Sequence, residues 1–243
     1  SLEAIAPSAP WRLVQALASI RDRDGTVRVS GFYDAVVPPT DAERAALAAA
    51  SDSDEDQLRE TLGIDRFDDG LTGAALWERA SFRPTSNLAG FHSGYGGPGI
   101  KTVLPAAASA WLDFRLVPDQ EADAIFELIR AHLEREGFSD VEATKLGAAT
   151  PAKTPLDDPF VRRVIDVAEA VCGEPASVTP LAAATLPIVA SFRDHLGVPG
   201  LSAPDNPFYA GSNAHAPNEH IRLEDVEPAL RFTYELLRAL GSA

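Results

Sequence analysis

The stretch that decides the fold runs from Ala110 to Phe138 and reads "AWLDFRLVPDQEADAIFELIRAHLEREGF". Its first part alternates, with Ala110, Leu112, Phe114 and Leu116 on one side and Trp111, Asp113, Arg115 and Val117 on the other. That period of two is what a half-buried strand requires. Beyond Pro118 the period lengthens. Ile125, Leu128, Ile129 and Leu133 recur at helical spacing, so a long helix follows, with Asp119 expected as its cap and Gly137 as its stop.

Working outward, Ser86 to Phe91 has strand character, and the glycine-rich run His92 to Gly99 with Lys101 to Pro105 links it to the strand at 110. Downstream, Val141 to Lys145 reads as a further strand. Upstream, Trp11 to Ile20 places Leu13, Leu17 and Ile20 on one helical face, Asp24-Gly25 is a turn, and Thr26 to Phe32 alternates. The order helix, strand, strand, strand, helix, strand, given one leading strand, reads as the βαββαβ ferredoxin-like pattern with one extra strand between its helices. Residues from about 36 to 82 interrupt it. There Thr40-Asp41-Ala42-Glu43 is a capping box before an alanine-rich helix, and two more helices follow, ending near Gly63 and Arg79. The expectation is an α/β chain whose first domain, 1–147, is ferredoxin-like with a helical insertion.

The stretch Gly147 to Thr154 is poor in apolar bulk and reads as the boundary to a second domain, 148–243. Asp158-Pro159 starts a helix with Val161, Val164, Ile165 and Ala168 inward. Ser177 to Thr179 and Val198 to Ala203 read as short strands, and Thr185 caps a helix running to about His195. The last helix begins near Arg222, with Val226, Leu230, Leu237 and Leu240 expected inward and Gly241 as its stop. Alternating helices and short strands describe part of an α/β layer.

The 243 residues carry a formal charge of −15, which argues against nucleic acid or an anionic membrane as a partner recognised through net charge. The single cysteine, Cys172, excludes an internal disulfide and a cysteine-based zinc cage, and its helical context predicts buried packing. No apolar run reaches the length of a membrane span and no secretory signal is present, so a cytoplasmic setting is the default expectation. The chain opens at Ser1 and contains no methionine, the expectation being a processed product or a piece of a longer protein.

Few residues carry chemistry on their own. The glycine run 94–99 lacks the Lys-Ser/Thr of a phosphate loop and leads into a strand rather than a helix. Arg115 on the polar side of its strand is read most simply as an ion pair with Asp113. In "GSNAHAPNEHIRLED", residues 211–225, Pro217 keeps His215 and Glu219 from pairing along a regular helix, so the imidazole sits on a loop. A single histidine is not a metal site.

That run, with "GYGGPGIKTVLP", "LDFRLVP" and the opening "SLEAIAPSAPWRLVQALASIRD", resembles the dizinc aminoacylase/carnosinase-type metallopeptidases and deacylases. The superfamily includes carboxypeptidase G, acetylornithine deacetylase and succinyl-diaminopimelate desuccinylase, and the resemblance covers nearly the whole chain. It implies a lid and dimerisation domain followed by the C-terminal part of a catalytic α/β domain. It further implies two zinc ions, other divalent metals being admissible, with His215 as a metal ligand. Thr102 would reach the active site of the partner subunit in a homodimer and help hold the tetrahedral intermediate, a catalytic role. Arg115 would bind a substrate carboxylate, for which a planar guanidinium is suited. Thr185 falls in the substrate loop, usually Gly-Gly-Ser/Thr-x-Pro, where Ala183 and Ala184 replace both glycines and Leu181 stands where some members carry arginine. Glu219 would orient the His215 loop by hydrogen bonding.

The remaining ligands, a bridging aspartate and the general-base glutamate would lie upstream of Ser1. The function so implied is hydrolysis of a dipeptide, a C-terminal peptide bond or an N-acyl amino acid through a metal-bridged hydroxide, with the isolated chain inactive. The alternative, favoured by the two alanines, is a non-catalytic dimerisation module that keeps the peptidase fold.

Overall fold

The computed structural model describes residues 4–50, 55–181, 187–202, 212–213 and 216–241. It divides into two compact units, Ser1–Val37 with Arg83–Pro151, and Pro38–Phe82 with Ala152–Ala243.

In the first unit, α1 (Ala9–Ile20) and α5 (Ala122–Arg135) pack against an antiparallel hairpin of β1 (Thr85–Ser93) and β2 (Ala108–Arg115). This is the α/β arrangement expected, reduced to the helix–strand–strand–helix centre of the ferredoxin-like order. The pairing runs from Thr85 opposite Arg115 to Ser93 opposite Ala108, with a bulge between Leu88 and Gly90. The core gathers Ala16 and Ile20 from α1, Val27, Val29 and Phe32 from the turn segment, and Ile125, Ile129 and Leu133 from α5. Leu112 and Phe114 press onto it from β2, so the alternation that defined the strand also selects its inner face. Gln120, 1% exposed, clamps the sheet to this core: its Oε1 accepts from the Val117 N–H at 3.0 Å and its Nε2 donates to the Phe32 carbonyl at 2.7 Å.

The end of α5 follows from Gly137. With φ at 80° it takes the left-handed region open to glycine, and its N–H donates to the Glu134 carbonyl while Phe138 N–H donates to that of Leu133. Those two bonds form a Schellman stop, with Phe138 and Leu133 joining the core. Arg12 of α1 seals this corner, donating to Asp140 and to the Gly137 carbonyl, with its guanidinium 4.5 Å from the centre of the Phe138 ring. The start of α5 differs from the sequence expectation. Its cap position is Glu121, and Asp119 instead takes a left-handed φ of 72° in the preceding turn.

Thr26 to Phe32 contributes only an isolated bridge between Arg21 and Val27, and 141–145 has no strand assignment. An extended segment becomes a strand only when a neighbour completes its hydrogen-bond ladder, and no described residue does so here. The same holds for 177–179 and 198–202.

The second unit contains α2 (Asp41–Ala50), α3 (Glu55–Leu62), α4 (Gly73–Phe82), α6 (Pro159–Cys172), α7 (Pro187–Ser191) and α8 (Leu223–Gly241). The helical segment read as an insertion within the first domain therefore groups with the second unit. The reason is visible at Glu43. In the capping box, Thr40 N–H donates to Glu43 Oε2 at 2.8 Å and Glu43 N–H donates to Thr40 Oγ1 at 3.2 Å. The other carboxylate oxygen, in a side chain only 4% exposed, accepts from Lys153 Nζ at 2.7 Å. Lys153 also lies 5.5 Å from the centre of the Phe82 ring. A buried charge must be paired, and the partner comes from beyond residue 151.

Asp158 caps α6, its carboxylate accepting from Phe160 N–H at 2.8 Å, and Gly173 with φ at 77° ends it. Val164 and Ala168 of α6 pack on Phe232 of α8, with Leu236 alongside. Two expectations fail here. Leu230 and Leu237 point outward, at 67% and 66% exposure, because α8 is apolar on opposite faces and Phe232 takes the inner one. Cys172 is exposed, since it sits in the last turn beyond the packed face of α6. The helix from Pro187 gives way to a π turn over Phe192–Leu196, stopped by Gly197. Among the described residues no helix is long and apolar enough to cross a membrane.

Candidate functional site

The loop from 94 to 107 joins β1 to β2 and carries Thr102, which is exposed. Its base is fixed by Ser93 Oγ donating to the Ala107 carbonyl at 3.0 Å. Gly94 has φ of 68°, and a Cβ there would stand 3.1 Å from Pro105 Cγ, so the chain turns where glycine alone fits easily. Nearer the tip, Tyr95 donates its hydroxyl to the Pro98 carbonyl at 2.9 Å and Lys101 approaches the Tyr95 ring at 5.7 Å. Ile100 is fully exposed two residues before Thr102.

Arg115 lies at the far end of β2 and is also exposed. Its Nε donates to Asp113 Oδ2 at 3.0 Å, the ion pair that the sequence offered as the simplest reading. The strand from Ala108 to Arg115 is eight residues long, about 23 Å from end to end. Within one hairpin, therefore, Thr102 and Arg115 do not converge on a common small ligand.

In the second unit, the loop before α8 is closed by two nested bonds. Ala216 N–H donates to the Asn213 carbonyl at 2.9 Å, and His220 N–H donates to that of Ser212 at 3.0 Å. Asn213 and Asn218 adopt left-handed φ of 56° and 63°, which asparagine tolerates better than most residues. The His220 ring meets the Asn218 carbonyl through Nδ1 at 2.9 Å. Glu219 is exposed. The buried polar side chain of this loop is Ser212, at 2% exposure, and its hydroxyl has no hydrogen-bond partner among the described residues. Ser212 was not singled out in the sequence, where a small polar residue ahead of an asparagine is an ordinary turn signal.

Thr185 and His215 lie outside the described residues. Among those described, no group of three histidine, cysteine or acidic side chains could hold a metal ion. The described residues of the 212–220 loop therefore do not make a complete metal site.

The family model for the peptidase dimerisation domain matches residues 3–141, more than half of the chain. The chain belongs to the M20 peptidase family. It resembles the M20 metallo-carboxypeptidase of Sulfolobus solfataricus with a TM-score of 0.89 and 33% identity, over 98% of this chain and 54% of that one. It is 27% identical over 214 residues to the Cys-Gly metallodipeptidase of Candida albicans, covering 86% of this chain and 43% of the relative. It is 30% identical over 122 residues to the human Beta-Ala-His dipeptidase, covering 50% of this chain and 24% of the relative. The chain spans about half the length or less of the relatives it matches.

Proposed function

We propose that this chain is the C-terminal portion of a zinc-dependent M20 metallopeptidase acting on dipeptides or C-terminal peptide bonds, in a cytoplasmic setting. The observation that carries it is the fold likeness to the Sulfolobus carboxypeptidase over nearly the whole of this chain but about half of that one. The first unit serves as lid and homodimerisation module, and the second as part of the catalytic domain. Of the metal ligands, this chain supplies His215. The others come from upstream, so the chain alone does not hydrolyse peptides.

Bound zinc supplies Lewis acidity toward water and the scissile carbonyl. The chain's own residues bind and orient. Thr102, on the anchored loop tip, donates toward the developing oxyanion in the partner subunit's site, the kind of donor whose removal costs about a hundredfold or more in kcat. Arg115 exchanges its Asp113 partner for the substrate carboxylate, a bidentate contact suited to guanidinium. Thr185 lines the substrate loop, and Glu219 stands beside the His215 loop. N-acyl amino acid deacylation is the second reading, since it cleaves the same amide bond and needs the same carboxylate anchor.

The test is a comparison of dipeptide hydrolysis by this chain and by the protein extended upstream to cover the full length of its relatives. Hydrolysis by the extended protein only, reduced about a hundredfold in kcat by Thr102→Ala, is the expected result. An extended protein inert toward dipeptides, C-terminal peptide bonds and N-acyl amino acids would support a non-catalytic dimerisation module instead.

A further inference from the structure

We propose that the outer face of α8 is the surface on which the segment upstream of Ser1 docks, so that this helix joins the two halves of the catalytic domain. The inference rests on the metallopeptidase reading and adds an interface to it. Leu223, Leu230, Tyr234 and Leu237 recur at helical spacing and form one stripe of α8 opposite Phe232, with Leu240 at its edge. At the rise of an α-helix the stripe runs for about 25 Å. Leu223 is 88% exposed and Tyr234 60%, whereas Phe232 is buried against Val164 and Ala168 of α6. A surface helix has one apolar face and one polar face. A helix apolar on two opposite faces is built to lie between two partners, and α6 is the first of them. The stripe is contiguous rather than scattered, which is the mark of an interaction surface.

The second partner follows from charge, from the extent of the dimerisation domain and from length. Membrane-surface helices carry basic polar faces, but α8 holds Glu224, Asp225, Glu227 and Glu235 in a chain of formal charge −15. The dimerisation-domain match ends at residue 141 and leaves α8 out, which disfavours a second copy of the chain. The likeness to the Sulfolobus carboxypeptidase takes in 98% of this chain, hence most of α8, yet only 54% of that one. On the metallopeptidase reading nearly half of the protein is therefore left to pack on faces that this chain exposes, and the α8 stripe is the long apolar one in the second unit.

The experiment compares this chain with the protein extended upstream to the length of its relatives, by hydroxyl-radical footprinting read by mass spectrometry. Labelling of Leu230, Tyr234 and Leu237 is expected to fall severalfold in the extended protein. There, Leu230→Glu combined with Leu237→Glu should lower the urea midpoint by about 1 M or more, since it drives two carboxylates into an apolar contact. Arg231→Glu, on the polar flank, should leave the midpoint within about 0.3 M. If the paired substitution prevents folding, the footprint of the unaltered protein decides. Equal labelling of Tyr234 in the two proteins, with the extended one hydrolysing dipeptides, would overturn the docking surface and leave the metallopeptidase reading standing. Protection in this chain alone that grows with its concentration would assign the stripe to a second copy and overturn the proposal as well. Protection in an extended protein that binds no zinc and cleaves no amide would uphold the interface and overturn the metallopeptidase reading.

Discussion

Glu43 illustrates what single residues decide in this chain. Burial acts to raise its pKa, but the hydrogen bond from Lys153 and those from Thr40 outweigh it and hold the carboxyl below its ordinary range. The pair therefore stabilises the second unit at neutral pH, and that contribution is lost as pH falls through the lowered pKa. Lys153→Ala strands a buried carboxylate and should cost about 3 kcal/mol, read as a lower urea midpoint at pH 7. A change within about 0.5 kcal/mol would mean that the pair does not join 38–82 to the later segment. His132 behaves in the opposite chemical sense. Only 2% exposed, it accepts from Arg135 at Nδ1, 2.9 Å away, so the neutral ring carries its proton on Nε2 and donates to Ser19 Oγ at 3.0 Å. Burial lowers its pKa, with Arg135 and Arg28 adding to the effect and Glu136 opposing it. Below the ordinary histidine pKa the unfolded chain takes up the proton first, so the first unit loses stability as pH drops from about 6.5. His132→Gln should flatten that fall in a series of urea melts between pH 7.5 and 5. The capping box was legible in the sequence because its partners lie three residues apart. Lys153 and Ser19 were not, since each lies more than a hundred residues from its partner.

At the scale of elements, periodicity told helices from extended segments but could not choose between two equally apolar faces. Leu223, Leu230, Tyr234 and Leu237 form one stripe of α8, while Phe232 and Leu236 belong to the side that meets α6. Phe232→Ala should cost about 3–5 kcal/mol in this chain, as a large-to-small core change does, whereas Leu237→Glu should cost within about 0.5. Equal losses in urea melts would contradict that assignment. Strand character was likewise legible at 86–91 and 110–117, segments that the structure pairs as β1 and β2 across the loop from 94 to 107. At 141–145 the sequence carried the alternation without its partner, and hydrogen-bond ladders depend on partners that a local pattern does not reveal. Gly137 was read as a helix stop from its position alone. Gly137→Ala should destabilise by about 1–2 kcal/mol through its positive φ, an effect that urea melts would register.

At the scale of the whole molecule, the segment from 38 to 82 was recognisable as a helical insertion, but not as part of the second unit, because its allegiance rests on tertiary contacts. The site is legible only in part for a related reason. On the proposed reading its residues also come from a second subunit and from upstream sequence. If Thr102 acts across the dimer, mixing inactive His215→Ala subunits with impaired Thr102→Ala subunits should restore hydrolysis in the extended protein. Each heterodimer then holds one intact site. No recovery after confirmed subunit exchange would place Thr102 outside the partner's site, and light scattering that shows monomer alone across a wide concentration range would remove the dimer itself. The most direct measurement is zinc content by plasma mass spectrometry, on this 243-residue chain and on the protein extended upstream. Zinc in the extended protein only, lost on His215→Ala, is the expected result for a site shared between this chain and upstream ligands. Absence of metal from both, or tight binding by this chain alone, would contradict it.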